Sequence, residues 1–309
     1  LTTNGWELSI DYHHRFSNGL RLNVSANLAD ALTIVTKHPR KTSSIIDGSN
    51  YEGKIYGEIW GFTTDRLFQE SDFDEDGNLM PSIAKQTYFE NSGYKYKYGP
   101  GDVKYMDLDG NGEITWGDKT VDNHGDWSRI GNATPRYEYN FKIGVDWHGV
   151  DFNIFFQGVG SRQYWATGSM MIPGWNFSEG TYYAHQTDYW TPENTNAYYP
   201  RLTETNQPGQ YSAAGFNFLC QTRYLLDMSY LRLKNITLGY SLPDKVLKKM
   251  HFNKFRVYFS AENVCEFDHL GDLPIDPETA TSAGDGGAMG FGRIYPFTRQ
   301  LSCGLQISL

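Results

Sequence analysis

Apolar and polar side chains alternate along the eleven residues from Tyr137 to Trp147. Side chains of a β-strand point to opposite faces in turn, so this segment has one apolar face and one polar face. A strand of this length extends about 36 Å and, at a tilt of about 45°, rises about 25 Å, which is the height of the apolar band of an outer-membrane barrel. The pattern therefore predicts a membrane-spanning strand.

The return segment Val150–Val159 repeats the alternation after a turn at His148-Gly149, which predicts a hairpin. Aliphatic residues and phenylalanines occupy the middle of the apolar face, while tyrosines and a tryptophan stand at its ends, as expected where lipid meets water. Phe155 is an exception, because it falls on the polar face. The predicted lipid-facing residues are Tyr137, Tyr139, Phe141, Ile143, Val145, Trp147, Val150, Phe152, Ile154 and Phe156.

The rest of the chain alternates between similar strands and much longer polar segments. The pattern predicts roughly eight to ten strands, joined by tight turns on one side and long loops on the other, as in outer-membrane barrels. Asp244–Met250 is predicted to form a short helical turn. The fold class expected is all-β, a transmembrane antiparallel β-barrel with long extracellular loops at about 69–135, 161–221 and 266–293.

The composition excludes some classes of function but does not identify a single one. A hydrophobic content of 39% with 16% aromatic residues suits a barrel with a polar interior, but also a soluble sugar-binding β-protein. The chain contains no run of about 18 apolar residues, which excludes a transmembrane helix. A net charge of −9 argues against a nucleic-acid partner. Because no catalytic side-chain constellation emerges from local spacing, an enzyme is not expected.

Five segments carry a family resemblance, in one order along the chain: Gly101–Lys119, Ile130–Gly160, Asp188–Leu202, Ser229–Pro243 and Arg256–Val264. They resemble the C-terminal part of the SusC-type (SusC/RagA) TonB-dependent outer-membrane transporters of Bacteroidetes. The resemblance implies a plugged barrel of about 22 strands in the bacterial outer membrane. It also implies that TonB supplies the energy for transport and that a SusD-like surface lipoprotein covers the barrel as a lid. The cargo implied is an oligosaccharide, with a peptide as the alternative.

The resemblance further implies a plug domain and earlier barrel strands that these 309 residues do not include. We therefore expect residues 1–309 to form the C-terminal part of the barrel domain, with TonB contacted through the remaining N-terminal part. Two other interpretations stay open at this point. One is a soluble carbohydrate-binding β-sandwich, and the other is a smaller barrel that acts as a passive pore.

An acidic segment inside the first long loop has the spacing of a calcium-binding loop. Asp107, Asp109 and Asn111 stand at positions 1, 3 and 5, Glu113 would offer its backbone carbonyl at position 7, and Asp118 closes the loop at position 12. Asp at position 12 reaches less far than the usual Glu, and the flanking segments are not helical. The sequence thus predicts a structural Ca²⁺ site, with a metal-free acidic turn as the alternative.

The second long loop is rich in aromatic residues. Flat rings offer apolar surface to sugar faces, while neighbouring Asn and Gln side chains can bond hydroxyl groups. The alternative is that the rings pack the loop against its neighbours or against the lipoprotein. The predicted contacts with cargo or partner are Trp165, Trp175, Trp190 and Tyr198.

Overall fold

The computed structural model describes residues 1–39, 43–45, 50–86, 97–173, 182–202, 217–278 and 297–308. Within these ranges the chain is built mainly from strands, most of them paired with their neighbours along the chain. The strands are β1 (Thr2–Arg15), β2 (Arg21–Ile34), β3 (Glu58–Phe62), β4 (Thr64–Leu67), β5 (Val103–Tyr105), β6 (Trp127–Asn132), β7 (Arg136–Trp147), β8 (Val150–Ser161), β9 (Gln163–Trp165), β10 (Leu225–Asp227), β11 (Tyr230–Ser241), β12 (Lys254–Asp268) and β13 (Gln300–Ser308).

The seven longest strands form one antiparallel sheet in the order β1-β2-β7-β8-β11-β12-β13, here called the main sheet. At one end its strands are joined by short connections, residues 16–20, 148–149 and 242–253. At the other end three long excursions leave the sheet. They are the first excursion (residues 35–135), the second (162–229) and the third (269–299).

The register of the main sheet sorts its side chains by polarity. Residues opposite one another in antiparallel strands lie on the same face, so each row across the sheet can be read from the pairing. One row crosses all seven strands as Tyr12, Val24, Ile143, Ile154, Ile236, Ala261 and Leu301. The adjacent row on the other face contains Asp11, Ser25, Lys142, Phe155, Asn235, Glu262 and Gln300.

The count of eight to ten strands expected from the sequence needs correction. Seven strands form the main sheet, and the other six are short and pair as β3 with β6, β4 with β5, and β9 with β10. The stretch before Phe68 folds into β3 and β4 outside the main sheet. Gly61 in β3 approaches the backbone of Cys220 so closely that an added Cβ would lie 2.6 Å from the Cys220 carbonyl oxygen. Packing within the excursions, rather than alternation, therefore sets these short strands.

The buried hydrophobic core of the described residues lies in the excursions and not against the main sheet. It gathers side chains such as Phe62, Phe68, Tyr105, Ile172 and Met228. On the apolar face of the main sheet, by contrast, Leu238 is 52% exposed and Leu305 is 62% exposed. Within the described ranges, no second protein layer covers that face.

Asp244–Met250 forms a short α-helix in the connection between β11 and β12, as the sequence predicts. Pro243 precedes its first turn, and His251 ends it in a left-handed conformation with φ of +60°. None of the helices in the described part of the chain is long and apolar enough to cross a lipid bilayer.

Candidate functional site

The residues predicted to face lipid share the apolar face of the main sheet. They pair across the β7–β8 hairpin as Phe141 with Phe156, Ile143 with Ile154, Val145 with Phe152 and Trp147 with Val150. The rings of Phe141 and Phe156 stack with centroids 4.6 Å apart. At the end of this hairpin near the short connections, Trp147 is 48% exposed and Val150 is 39% exposed.

The two tyrosines of this set occupy special positions near the excursions. Tyr137 interrupts the pairing between β7 and β8, with φ of +56°, and its side chain is exposed. The ring of Tyr139 lies over Gly158 of β8, where an added Cβ would come within 2.6 Å of the ring. Its hydroxyl donates a hydrogen bond to the carbonyl of Tyr230 at 3.2 Å. The apolar face therefore ends in aromatic rings on this side.

The opposite face of the main sheet carries paired polar groups. Near the short connections, the guanidinium of Arg256 donates two hydrogen bonds to Asp151, at 2.8 and 2.5 Å. In the middle of the sheet, Phe155 lies in a recess of about 530 Å³ together with Lys142, Asn153 and Asn235. The phenylalanine that the alternation marks as an exception is thus an isolated apolar ring in a polar wall.

A cluster of charges fastens the third excursion to β11. Arg232 is 2% exposed, and its guanidinium contacts the carboxylates of Glu266, Asp276 and Glu278. The last two distances are 2.7 Å each. Lys234 adds a second cation 2.8 Å from Glu278. Because β11 and β12 supply three of these groups and the third excursion supplies the other two, the cluster joins the excursion to the main sheet.

A second buried ion pair joins the first and second excursions. The carboxylate of Asp102 is completely buried and accepts hydrogen bonds from Arg201, at 3.0 and 2.8 Å, and from Asn217 at 2.9 Å. Buried charges with this many partners fix one arrangement of the segments that carry them. The two excursions therefore pack together as one body above the sheet.

The predicted calcium loop brings carboxylates together, but not in the set that its spacing predicts. Oxygens of Asp107, Asp109 and Asp126 lie within 4.8 Å of one another. The carboxylate of Asp126 is 0% exposed and accepts hydrogen bonds from the backbone N–H groups of Leu108 and Thr115, both at 2.7 Å. Burial raises the pKa of Asp126, and the negative charges of Asp109 and Asp107 raise it further.

Two other predicted ligands, Asp118 and Asn111, form hydrogen bonds to nearby residues. Asp118, placed last in the loop by its spacing, accepts a hydrogen bond from the side chain of Asn123 at 2.8 Å and is not among the convergent carboxylates of the described residues. Asn111 accepts a hydrogen bond from the backbone N–H of Glu113 at 2.7 Å. Asp126 lies beyond any twelve-residue window that starts at Asp107, so the spacing motif has no position for it.

This all-oxygen set fits a hard divalent cation. Calcium prefers carboxylate, carbonyl and amide oxygens, and three clustered carboxylates repel one another unless a cation lies between them.

The structure separates the aromatic residues that are predicted to contact cargo. Trp190 is 8% exposed and packs in the core of the excursions against Gly101, which has φ of +86° and leaves room for the indole ring because it has no Cβ. Trp165 lies half-buried in β9. Tyr198 is 38% exposed, and the guanidinium of Arg223 lies over its ring, 5.7 Å from the ring centroid. Trp175 lies outside the described residues.

No protein-family profile matches the chain. Among curated proteins, the chain is similar to three receptors of Formosa agariphila. TonB-dependent receptor P3 is 26% identical over 291 residues, which are 90% of this chain and 25% of the receptor. TonB-dependent receptor P26 is 26% identical over 74% of this chain and 22% of that receptor. The chain thus spans about a quarter of the length of the curated relatives it matches.

Solved structures show the same fold. The RagAB peptide transporter covers 99% of this chain with a TM-score of 0.63 at 18% identity, and the match occupies 29% of that structure's chain. The RagAB peptide importer in its 'open-open' state gives a TM-score of 0.63 at 19% identity. The chain is thus similar to part of the TonB-dependent receptors and shares its fold with part of the RagAB transporter, in agreement with the resemblance of its five segments to the SusC type and with a place in the bacterial outer membrane.

Proposed function

We propose that this chain forms part of the barrel wall of an energy-coupled importer. The observation that carries the proposal is the row structure of the main sheet, with apolar side chains on one face and polar side chains on the other across seven strands. A wall of this kind separates lipid from an aqueous interior. The excursions leave from one end only, which suits a receptor that meets its cargo on the cell surface.

Energy coupling and a lid are the next parts of the proposal. The relatives are named TonB-dependent receptors, so we expect TonB to act on this protein through a plug that the remaining N-terminal part of the receptor supplies. A SusD-like surface lipoprotein would close the barrel from outside. Apolar side chains exposed on the first excursion, such as Met80, Met106 and Leu108, support a protein partner at that end.

Two classes of cargo remain candidates. The aromatic second excursion favours an oligosaccharide, because the exposed ring of Tyr198 can pack on a sugar face. The similarity of the fold to the RagAB peptide transporter favours a peptide. In both cases the protein moves its cargo without changing it, and we propose no enzymatic activity.

We propose that a structural Ca²⁺ ion holds the acidic loop. Asp107, Asp109 and Asp126 would supply charged oxygens, and Asn111 and the backbone carbonyl of Glu113 would complete the set. The ion would offset the repulsion among the three carboxylates and stabilise the first excursion. Its role would be to fix the loop and not to take part in transport chemistry.

Uptake by cells that carry the intact receptor tests the importer directly. Labelled oligosaccharides and labelled peptides are offered to cells with and without the receptor gene, before and after collapse of the proton-motive force. We expect receptor-dependent uptake of one cargo class that stops when the force is removed. Uptake that continues unchanged without the force would instead indicate a passive pore, and no receptor-dependent uptake at all would contradict import.

A further inference from the structure

A cleft of about 420 Å³ opens between the second and third excursions, away from the acidic loop and from both faces of the main sheet. Its walls come from the 3₁₀ turn Ala184–Thr187 and the residues that follow it, from β10, and from the start of the third excursion. The polar side chains in its lining are Asp188, Asp227, Asp272, His185, His269 and Tyr198. All the residues that line the cleft are among those that the structure describes.

The lining is negatively charged. Three carboxylates face the cleft, and no Lys or Arg side chain lines it. Asp188 is held by its own loop, where it accepts hydrogen bonds from Asn194 and from the backbone N–H of Tyr198. Asp227 lies 3.8 Å from Nδ1 of His269, another lining residue. Asp272 is exposed and belongs to none of the ion pairs among the described residues. A positively charged group would therefore find an electrostatic minimum here.

A buried hydroxyl gives independent support for an occupant. Tyr199 lines the same cleft, is 1% exposed, and its hydroxyl has no hydrogen-bond partner among the described residues. Burial raises the pKa of Tyr199, and the charge of Asp188, another lining residue, raises it further. A buried hydroxyl without a partner costs about 1–3 kcal/mol, so a group that bonds to it from the cleft would be favoured.

The remaining lining is apolar. Leu226 and Leu270 form a buried floor, Leu273 is half-buried at the side, and the exposed ring of Tyr198 stands at the rim. The lining contains no Asn or Gln side chain. Amides are the groups that usually bond sugar hydroxyls, whereas leucines next to carboxylates suit an aliphatic side chain that lies beside an ammonium group.

We propose that this cleft binds a positively charged amino group of a peptide, with a neighbouring apolar side chain of the same peptide packed on the leucine floor. Asp227 and Asp272 would accept hydrogen bonds from the ammonium group, and the Tyr199 hydroxyl would bond to the peptide. The proposal rests on the proposed import function and specifies its cargo: peptides with a free amino group or a lysine side chain.

Binding to the intact receptor complex, purified in detergent, tests this assignment by titration calorimetry. Three probes are compared: a Leu-rich hexapeptide with one lysine and a free amino terminus, the same peptide acetylated and with norleucine in place of lysine, and a glucosamine hexamer. The variant Asp227→Asn/Asp272→Asn removes two carboxylates, and Asp76→Asn, an exposed aspartate of the first excursion, is the matched control. Heat-modifiable migration in gels verifies that each variant is folded.

We expect the charged peptide to bind the unaltered receptor roughly tenfold more tightly than the neutral peptide, since hydrogen bonds between charged groups are the strong ones. The double variant should lose this preference and Asp76→Asn should keep it. A preference that persists in the double variant, or a glucosamine hexamer that binds more tightly than the charged peptide, would overturn the assignment. Energy-dependent uptake is measured on the same variants. If the cleft does not bind the amino group, uptake can still be energy-dependent, whereas a protein that is not an importer shows no such uptake.

Discussion

At the scale of single residues, burial decides which side chains can meet a ligand and which only support the fold. Trp190 and Tyr198 are close in sequence and both aromatic, yet one lies in the core of the excursions and the other at the rim of the acidic cleft. Asp126 and Asp118 show the same contrast among the acidic residues. The backbone around each residue, and not its type, sets this difference.

The two acidic residues lead to a test of the calcium proposal. We predict that Asp126→Asn lowers the Ca²⁺ affinity of the receptor by about tenfold or more, because calcium affinity follows the number of charged ligands. Asp118→Asn should leave the affinity unchanged, since Asp118 bonds to Asn123. Calorimetric titration of Ca²⁺ into each variant gives the comparison. A larger loss of affinity in Asp118→Asn than in Asp126→Asn would show that the twelve-residue spacing, and not the observed cluster, defines the site.

The two aromatic residues separate stability from binding. Trp190→Ala should destabilise the excursions by about 3–5 kcal/mol, the usual cost of removing a large buried side chain. Tyr198→Ala should cost far less stability but weaken cargo binding. Protease resistance of the excursions and cargo affinity, measured on both variants, are the readouts. A full loss of cargo affinity in a folded Trp190→Ala receptor would mean that the indole contacts the cargo after all.

At the scale of elements, the long strands and the short ones have different causes. The alternation in β7 and β8 predicts their faces, their length and the hairpin turn at His148-Gly149, because one buried or lipid-facing side imposes a period of two. The short strands β3, β4 and β9 follow no such rule, since contacts between distant segments set them. Asp126 is a similar case, as its position depends on backbone hydrogen bonds to Leu108 and Thr115.

The charge cluster at Arg232 allows a test of how an element is held. Arg232→Met would leave Glu266, Asp276 and Glu278 close together without their main counter-charge, at a cost of about 3–5 kcal/mol. We predict faster proteolysis within residues 269–278. The control is Arg256→Met, whose partner Asp151 lies at the opposite end of the sheet. Cleavage at equal rates in both variants would show that the cluster does not fasten the third excursion.

At the scale of the whole molecule, the apolar face of the main sheet, the relatives and the fold agree. All three indicate a barrel wall in the outer membrane, and the sequence predicted that wall from alternation alone. A soluble sandwich would cover the apolar face with a second sheet. In the described residues the buried core lies instead in the excursions.

Two neighbouring residues of β13 allow a stability measurement to distinguish the lipid-facing side of the main sheet from its polar side. Leu301 lies in the same row as Ile143 on the apolar face, and Ser302 faces the polar side. Leu301→Arg should destabilise the receptor in a bilayer, because a charge on the lipid face costs up to about 2–4 kcal/mol depending on its depth, whereas Ser302→Arg should change stability little. Urea titrations in lipid vesicles compare the two variants. A larger loss for Ser302→Arg would reverse the assignment of the two faces.

The central claim is that every second side chain of the long strands touches hydrocarbon. Spin labels placed one at a time on β7, from Asn140 to Val145, in a receptor without other cysteines and reconstituted in lipid, measure this contact directly. We predict that oxygen, which concentrates in lipid, relaxes labels at Phe141, Ile143 and Val145. A water-soluble nickel chelate should instead relax labels at Asn140, Lys142 and Gly144. Uniform accessibility along the strand, or labels at Phe141 and Ile143 that neither reagent reaches, would contradict the account.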